Sequence, residues 1–270
     1  MAQYFHTTDA VRLAYYLDQF TNPWKRASTV IMLHSAMGRS ERWYGMVPAL
    51  ARHYRVVRLD MRGFGNSGGH PEETPLTMDR LVQDVVELMT QVGCQSAHFI
   101  GNSAGGYVAQ NLAMTNPDKV TSLVLFGSAP GLKGSNALSW LPRIAEIGLR
   151  PFLAETISQR FQVDKTDPGL IRWFLDETAK NDPAYIARFV RLMLSLDWSD
   201  QLHRIGCPTL LVIPGDEAIG AVQSYDAIRK NIRDVTSIVY EGQPHNITDA
   251  DPDRCVKDAL EFLQRRFPES

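Results

Sequence analysis

Residues 99–106 have the sequence Phe99-Ile100-Gly101-Asn102-Ser103-Ala104-Gly105-Gly106, which predicts a buried strand that turns at Ser103 directly into a helix. Glycines stand two places before and two places after this serine. The sharp turn needs small residues there, because a Cβ at either position would collide with the neighbouring strand or helix. The turn lifts the Ser103 hydroxyl clear of the sheet and makes it a candidate nucleophile. It also points the amide N–H of Ala104 towards an oxygen held beside Ser103, as a candidate oxyanion donor.

Strands and helices alternate on both sides of this turn. Residues 3–8 and 11–17 alternate like a hairpin of edge strands. Strand-length apolar runs follow at 29–34, 54–60, 96–102, 120–126, 208–213 and 237–240. Amphipathic helical patterns follow most of them, and we expect Ser40 to cap the first and Asp251 the last. The chain therefore predicts an α/β fold with a mostly parallel eight-stranded sheet and helices on both faces.

The alternation stops between residues 131 and 204. Only amphipathic helical patterns occur there, and they contain Trp140, Trp173 and Trp198 and are interrupted at Pro142, Pro151, Pro168 and Pro183. We interpret 131–204 as a helical cap inserted into a core domain formed by 1–130 and 205–270.

Composition excludes several classes of partner. The chain has 270 residues and a net charge of -2 with no basic stripe, so nucleic acid and anionic membrane are not expected partners. No signal-peptide pattern begins the chain and no apolar run is long enough for a membrane span, so we expect a cytoplasmic protein. Cys94, Cys207 and Cys255 fit neither a disulfide framework nor a metal motif, so we expect free thiols and no metal. The sequence leaves a homodimer open.

One segment has the glycine spacing of a dinucleotide-binding fingerprint without the helix that should follow it. Gly63-x-Gly65-x-x-Gly68 follows a strand, but Pro71 and Pro75 come next and no helix begins until about residue 77. The fingerprint must open a helix whose N-terminus receives a pyrophosphate, so we predict a plain loop. Asp60, at its entrance, is expected to brace the loop and is a weak alternative for a catalytic acid.

A serine nucleophile needs a base and an acid. The base should follow the last strand and the acid the strand before it, and His245 is the one histidine with that position. The loop after residue 213 offers two acids, of which we favour Glu217 over Asp216, to hold the imidazole tautomer. The backbone N–H of Ala36, after the strand at 29–34, is the second candidate oxyanion donor.

Together these residues resemble the α/β-hydrolase superfamily over essentially the whole chain, and most closely its 3-oxoadipate enol-lactonases and similar small esterases. The resemblance rests on His34-Ser35-Ala36-Met37-Gly38 followed by Trp43, on the loop at 59–67, and on 199–202 before 205–208. Two features depart from the usual pattern. The acid loop is one residue shorter, which moves Glu217 into the place of the acid, and Pro244 precedes His245 where the superfamily usually has glycine.

The resemblance implies a serine hydrolase that cleaves a carboxylic ester or lactone through an acyl-enzyme, without metal or organic cofactor. Side chains expected to contact the small-molecule substrate are Ser35, Met37, Asn102, Trp140 and Trp173. The alternatives on the same scaffold are carbon–carbon bond hydrolysis, amide hydrolysis, acyl transfer and cofactor-free oxygenation. A non-catalytic binding or receptor protein is the least favoured alternative. The cap carries seven arginines, among them Arg143, Arg150, Arg160, Arg172, Arg188 and Arg191, and many aromatic residues, among them Phe174. We expect most of these arginines to be solvated and the pocket to be mainly apolar.

Overall fold

Eight strands form one sheet in the computed structural model, which describes residues 1–133, 135–220 and 224–268. They are β1 Gln3–His6, β2 Arg12–Asp18, β3 Thr29–Leu33, β4 Arg55–Leu59, β5 Ala97–Asn102, β6 Val120–Phe126, β7 Thr209–Pro214 and β8 Val235–Tyr240. The spatial order is β1-β2-β4-β3-β5-β6-β7-β8. The pairs β1/β2 and β2/β4 are antiparallel and the five others are parallel. The eight-stranded, mostly parallel sheet is confirmed, with strand bounds within one or two residues of those expected.

The central strands are buried on both faces because helices pack on each side. In β3, Ile31 and Leu33 pack into one apolar core, while Val30 and Met32 pack into another on the opposite face. The α-helices are α1 Val47–Leu50, α2 Met78–Gln91, α3 Ala104–Thr115, α4 Trp140–Ile147, α5 Leu149–Glu155, α6 Pro168–Thr178, α7 Pro183–Leu194, α8 Ser224–Asn231, α9 Ile247–Ala250 and α10 Pro252–Arg266. Helices α2, α3 and α8 cover the first face, and α1 and α10 cover the second. No helix in the described part of the chain is long and apolar enough to cross a membrane.

Two local expectations differ from the structure. Ser40 does not cap a helix: it begins a short 3-10 turn, Ser40–Trp43, and its own amide N–H donates to Asp60 Oδ1 over 2.7 Å. Pro142 and Pro151 do not interrupt helices either, because each is the third residue of its helix, where a backbone N–H has no intrahelical acceptor to lose. The cap of α10 is confirmed, since the Asp251 carboxylate accepts from the amide of Arg254.

The segment between β6 and β7 is helical where the structure describes it. Its two ends meet, because an isolated bridge pairs Gly131 with Asp197 and the amide of Trp198 donates to Pro130 O over 3.0 Å. Its helix α7 packs onto the core loop at 60–69 through Tyr185 and Phe189, whose rings both contact Phe64 edge-on. We propose that 131–204 forms a cap on a core made of 1–130 and 205–270. Of these residues, 134, 221–223, 269 and 270 lie outside the described part.

The glycine-rich segment at 63–68 is a loop. Its ends are joined by the bond from Gly63 N–H to Gly68 O, and α2 begins only after the N-cap Thr77. The Asp60 carboxylate accepts from the amide of Asn66 through Oδ2, which braces this loop, and from the amide of Ser40 through Oδ1, which joins it to the turn after β3. The segment therefore lacks the helix N-terminus that a dinucleotide phosphate would require.

Candidate active site

The turn between β5 and α3 holds Ser103 in a strained conformation. Ser103 has φ 51° and ψ −117°, in the positive-φ region that side chains rarely adopt. A Cβ on Gly101 would lie 2.5 Å from the Gly106 Cα, and a Cβ on Gly105 would lie 2.0 Å from Leu33 O. The two glycines therefore let α3 approach β5 and β3 closely enough to bend the chain sharply at the serine, as the spacing predicts.

We expect Gly105→Ala to destabilise the protein by about 2–3 kcal/mol, which lowers Tm by about 4–12 °C, because the new methyl group would meet the backbone of β3 rather than a movable side chain. The measurement is differential scanning calorimetry. The matched control is Gly206→Ala, since a Cβ on Gly206 would meet no atom within 4 Å. Equal Tm values for the two variants would contradict the steric account.

His245 and Glu217 form a hydrogen-bonded pair at the carboxyl ends of β8 and β7. His245 Nδ1 lies 2.9 Å and 2.8 Å from the two carboxylate oxygens of Glu217, and both side chains are buried. Asp216, the alternative acid, is exposed and contributes only its backbone amide, which donates to Gln243 O. Of the two candidate carboxylates, the structure thus brings Glu217 to the histidine and leaves Asp216 at the surface.

Glu217 is held ionised by its surroundings. Burial alone would raise its pKa, but the charge of His245 and the hydrogen bond to it, together with bonds from the amides of Ile219 and Gly220, lower the pKa to about 2. Tyr225 adds a hydrogen bond from its hydroxyl to Oε2 over 2.8 Å. An ionised, fully bonded carboxylate keeps the proton of the neutral imidazole on Nδ1, and Nε2 is left free as a base.

The loop after β3 is fixed by its own polar network. His34 Nε2 accepts from the amide of Met61 over 2.9 Å, so Nδ1 carries the proton and donates to Ser35 O. Burial lowers the pKa of His34 to about 4, which keeps its ring neutral. Arg42 donates from Nη1 to Ser35 Oγ and from Nε and Nη2 to the buried carboxylate of Asp249. These bonds hold the segment that contains Ala36.

Two backbone amides on this side of the site remain available. The N–H groups of Ala36 and Ala104 donate to no acceptor in the described part of the chain, and both residues lie in the wall that also contains Ser103. Ala104 is the first residue of α3, so its amide also has the positive end of the helix dipole behind it. An oxygen bound beside Ser103 would meet these two donors.

One cavity contains the candidate residues from the core and the cap. Its walls include eight residues that the sequence singled out: Ser35, Ala36, Met37, Ser103, Ala104, Trp140, Arg160 and His245. They also include Phe174, one of the cap aromatics expected to line an apolar pocket, and seven residues that were not predicted for the site: Arg42, Tyr107, Leu132, Val190, Met193, Ile219 and Asn246. Glu217 lies behind His245 rather than in the wall.

Two predicted substrate contacts lie elsewhere. Trp173 packs edge-on against Tyr44 at a surface groove, and its neighbour Phe174 lines the cavity instead. The two residues differ by about 100° around α6, so only one of them can face inward. Asn102 is buried outside the cavity wall, where its Nδ2 donates to Thr248 Oγ1.

Tyr107, which was not predicted for the site, lies in the cavity wall with Ser103. Its amide donates to Ser103 O over 3.2 Å, and burial raises the pKa of its phenol well above its usual range. Tyr107 follows Ser103 by four residues, so both lie on one side of the first turn of α3. That spacing is the signal by which the sequence could have indicated it.

Comparisons with known proteins agree with this architecture. The sequence profile of the family described as alpha/beta hydrolase fold matches residues 28–252. The chain is 25% identical over 227 residues to the pimeloyl-[acyl-carrier protein] methyl ester esterase of Aeromonas hydrophila, a match that covers 80% of this chain and 87% of that protein. It is 26% identical over 266 residues to the 2-hydroxy-6-oxo-6-(2'-aminophenyl)hexa-2,4-dienoic acid hydrolase of Metapseudomonas resinovorans, covering 89% and 86% of the two chains.

A solved structure shows the same fold. The enol-lactonase from Burkholderia xenovorans superposes with a TM-score of 0.88 at 21% identity, and the match covers 97% of this chain and 99% of that one. The family profile spans most of the sequence, from before β3 to the start of α10. With its parallel sheet, its strained turn at residue 103 and relatives that are hydrolases, this chain belongs to the α/β-hydrolase family of hydrolytic enzymes.

Proposed function

We propose that the protein is a serine hydrolase that cleaves a small-molecule carboxylic ester or lactone through an acyl-enzyme on Ser103. One observation carries the proposal: Ser103, in its strained turn, and His245, which is hydrogen-bonded to Glu217 behind it, line one cavity. A nucleophile, a base and an acid in this chain order are typical of the fold. Relatives named as a methyl ester esterase and an enol-lactonase support the ester and lactone class.

The proposed reaction proceeds in two steps. Ser103 Oγ attacks the carbonyl carbon while His245 Nε2 takes the hydroxyl proton. The carbon–oxygen bond to the leaving group then breaks, and His245 returns the proton to the leaving alkoxide. A water molecule, deprotonated by His245, attacks acyl-Ser103 and releases the carboxylic acid with the serine restored. Glu217 stabilises the imidazolium in both steps.

The oxygen that becomes negative in each step needs donors that are already in place. The free amides of Ala36 and Ala104 would supply them, and each such donor contributes about 3–4 kcal/mol to the stability of the transition state. The bonds from His34 to Met61 and from Arg42 to Ser35 would keep the first donor in position. Both donors are backbone groups. No side chain therefore has to move to bring them to the oxygen in either step.

The experiment that tests the proposal uses p-nitrophenyl esters of increasing acyl length and a set of small lactones. We expect a burst of p-nitrophenol and, in a stopped reaction, an acyl mass increase confined to the peptide that contains Ser103. The absence of both, with every ester and lactone in the set, would reject the proposal.

A 2-hydroxy-6-oxo dienoic acid is the second candidate substrate, because one relative is named as a hydrolase of such an acid. The acid has no ester bond, so its hydrolysis would break a carbon–carbon bond. Loss of the dienoate absorbance with this substrate, without ester turnover, would favour this candidate over the first.

A further inference from the structure

One arginine of the cap differs from the other six in its position. Arg160 is only 5% exposed and lines the cavity that contains Ser103. The others lie away from this cavity: Arg143, Arg150, Arg172, Arg188, Arg191 and Arg204. Arg143 and Arg150, for example, form ion pairs on the outer surface with Glu155 and Asp176. The expectation that the cap arginines are solvated is therefore wrong for Arg160, whose buried cation lines a cavity that is otherwise mainly apolar, as expected.

Most of the hydrogen-bonding capacity of Arg160 is unused. Its Nη1 donates to Thr156 O and to Thr156 Oγ1, while Nε and Nη2 donate to no group among residues 1–133, 135–220 and 224–268. No carboxylate in those ranges forms an ion pair with it. Burial and the nearby charge of Arg42 lower the pKa of Arg160 to about 10, so the guanidinium still carries its charge at neutral pH. A buried cation without a paired anion is costly.

The neighbouring charges do not relieve this cost. Arg42, the other arginine in the wall, is neutralised by the carboxylate of Asp249. Glu217 attracts Arg160, but its oxygens already accept from His245, Tyr225 and two backbone amides, and Arg160 donates no hydrogen bond to it. The cavity thus contains one guanidinium whose charge no hydrogen-bonded carboxylate in the described chain compensates.

A second unused donor lies beside it. Asn246 Nδ2 is buried in the same cavity wall and has no hydrogen-bond partner in the described structure. The backbone joins the two residues, since the amide of Asn246 donates to Arg160 O and the amide of His245 donates to Gln159 O. These bonds attach the arginine of the cap to the loop that carries the histidine. Arg160 and Asn246 are therefore neighbouring residues of one cavity wall, and Asn246 directly follows the proposed base in the chain.

We propose that Arg160 and Asn246 form an anion subsite that binds a free carboxylate of the substrate. The substrate class is then an ester or lactone that carries a carboxylate, either in its acyl part or in its alcohol part. This inference rests on the proposed function of Ser103 and names its substrate class. A planar guanidinium can bond a carboxylate with two parallel hydrogen bonds, and the amide of Asn246 adds a neutral donor. Arg160 is a binding residue here and takes no part in proton transfer.

The test compares substrates that differ only in charge. Monomethyl esters of straight-chain dicarboxylic acids, from succinate to suberate, are paired with the matching monoamides, in which a neutral carboxamide replaces the free carboxylate. Acyloxyacetates paired with acyloxyacetamides place the same difference in the alcohol part. For the best chain length we expect kcat/KM of the acid to exceed that of its amide by at least about 30-fold, the effect of one buried charge-assisted pair.

Arg160→Met should reduce this acid-to-amide ratio to about one, because methionine fills similar space without charge. Arg143→Met is the matched control: it removes a cap arginine that pairs with Glu146 and Glu155 at the surface, and we expect its ratio to equal that of the wild type. The ratio compares two substrates of one preparation, so loss of folded protein does not affect it.

A binding measurement checks the subsite without catalysis. Calorimetry with the Ser103→Ala protein should detect binding of the free dicarboxylate of the preferred length. It should detect no binding of the corresponding diamide. Absence of any acid preference in the wild type, for both the acyl and the alcohol series, would overturn the subsite. Equal losses for acid and amide in Arg160→Met would also overturn it and would assign Arg160 to balancing Glu217. Neither result affects the proposed function, which fails only if no ester acylates Ser103.

Discussion

Ser103→Ala is expected to lower kcat by about three or more orders of magnitude, because the carbonyl carbon then has no nucleophile and only binding and the oxyanion donors remain. The variant should keep the fold. Alanine has the same Cβ as serine, so the positive φ of 51° at this position costs the same in both proteins. The measurement is kcat for the best ester or lactone, together with mass detection of the acyl-enzyme.

The control for this substitution is Ser158→Ala, which changes an exposed serine of the cap and should leave turnover unchanged. A circular dichroism melt of each variant shows whether the fold is kept. If Ser103→Ala retains a tenth of the wild-type turnover, Ser103 is not the nucleophile.

Glu217→Gln should lower kcat by about 10³- to 10⁴-fold with little change in the substrate pocket. The amide is neutral and can donate a hydrogen bond to the imidazole, which would hold the tautomer that carries its proton on Nε2. That tautomer cannot take the proton of Ser103. Loss of the negative charge also removes the stabilisation of the imidazolium, because the ionised carboxylate lies 2.8 Å from Nδ1.

The matched control is Asp216→Asn, the same change of carboxylate to amide one residue earlier in the chain. Because Asp216 is exposed and its carboxylate is not bonded to His245, we expect a loss of less than about threefold, the range of an ordinary surface substitution. A larger loss in Asp216→Asn than in Glu217→Gln would reverse the assignment. Small, equal losses would place the acid elsewhere, and Asp60 would be the first residue to test.

The structure contradicts the expectation that Arg160 is solvated, because this side chain is buried. The sequence shows seven arginines in the cap, and the usual surface position of arginine favours solvent for each of them. Burial of Arg160 results from backbone bonds between Gln159 and His245 and between Arg160 and Asn246. These partners are far apart in the chain, so no local pattern indicates the contact.

Local steric requirements were determined by the sequence alone. The turn at Ser103 could be predicted because two glycines are needed wherever a helix passes so close to a strand, and this need depends only on residues 101–106 and the strand beside them. The alternation of apolar runs and amphipathic patterns likewise predicted the parallel sheet, because parallel strands must be buried on both faces. Chain order then placed His245 at the same edge of the sheet as Ser103.

Side-chain direction was decided only by the tertiary structure. The sequence favoured two neighbouring acids, with Asp60 as a weak alternative, and the tertiary structure brings Glu217 into contact with His245. In α6 the phase of the helix turned Phe174 into the cavity and Trp173 out of it, a difference of one residue that composition does not reveal. Such choices depend on which distant segment packs against a side chain, so the sequence determined the scaffold and the sharp turn at Ser103, and packing decided which neighbouring residues face the cavity.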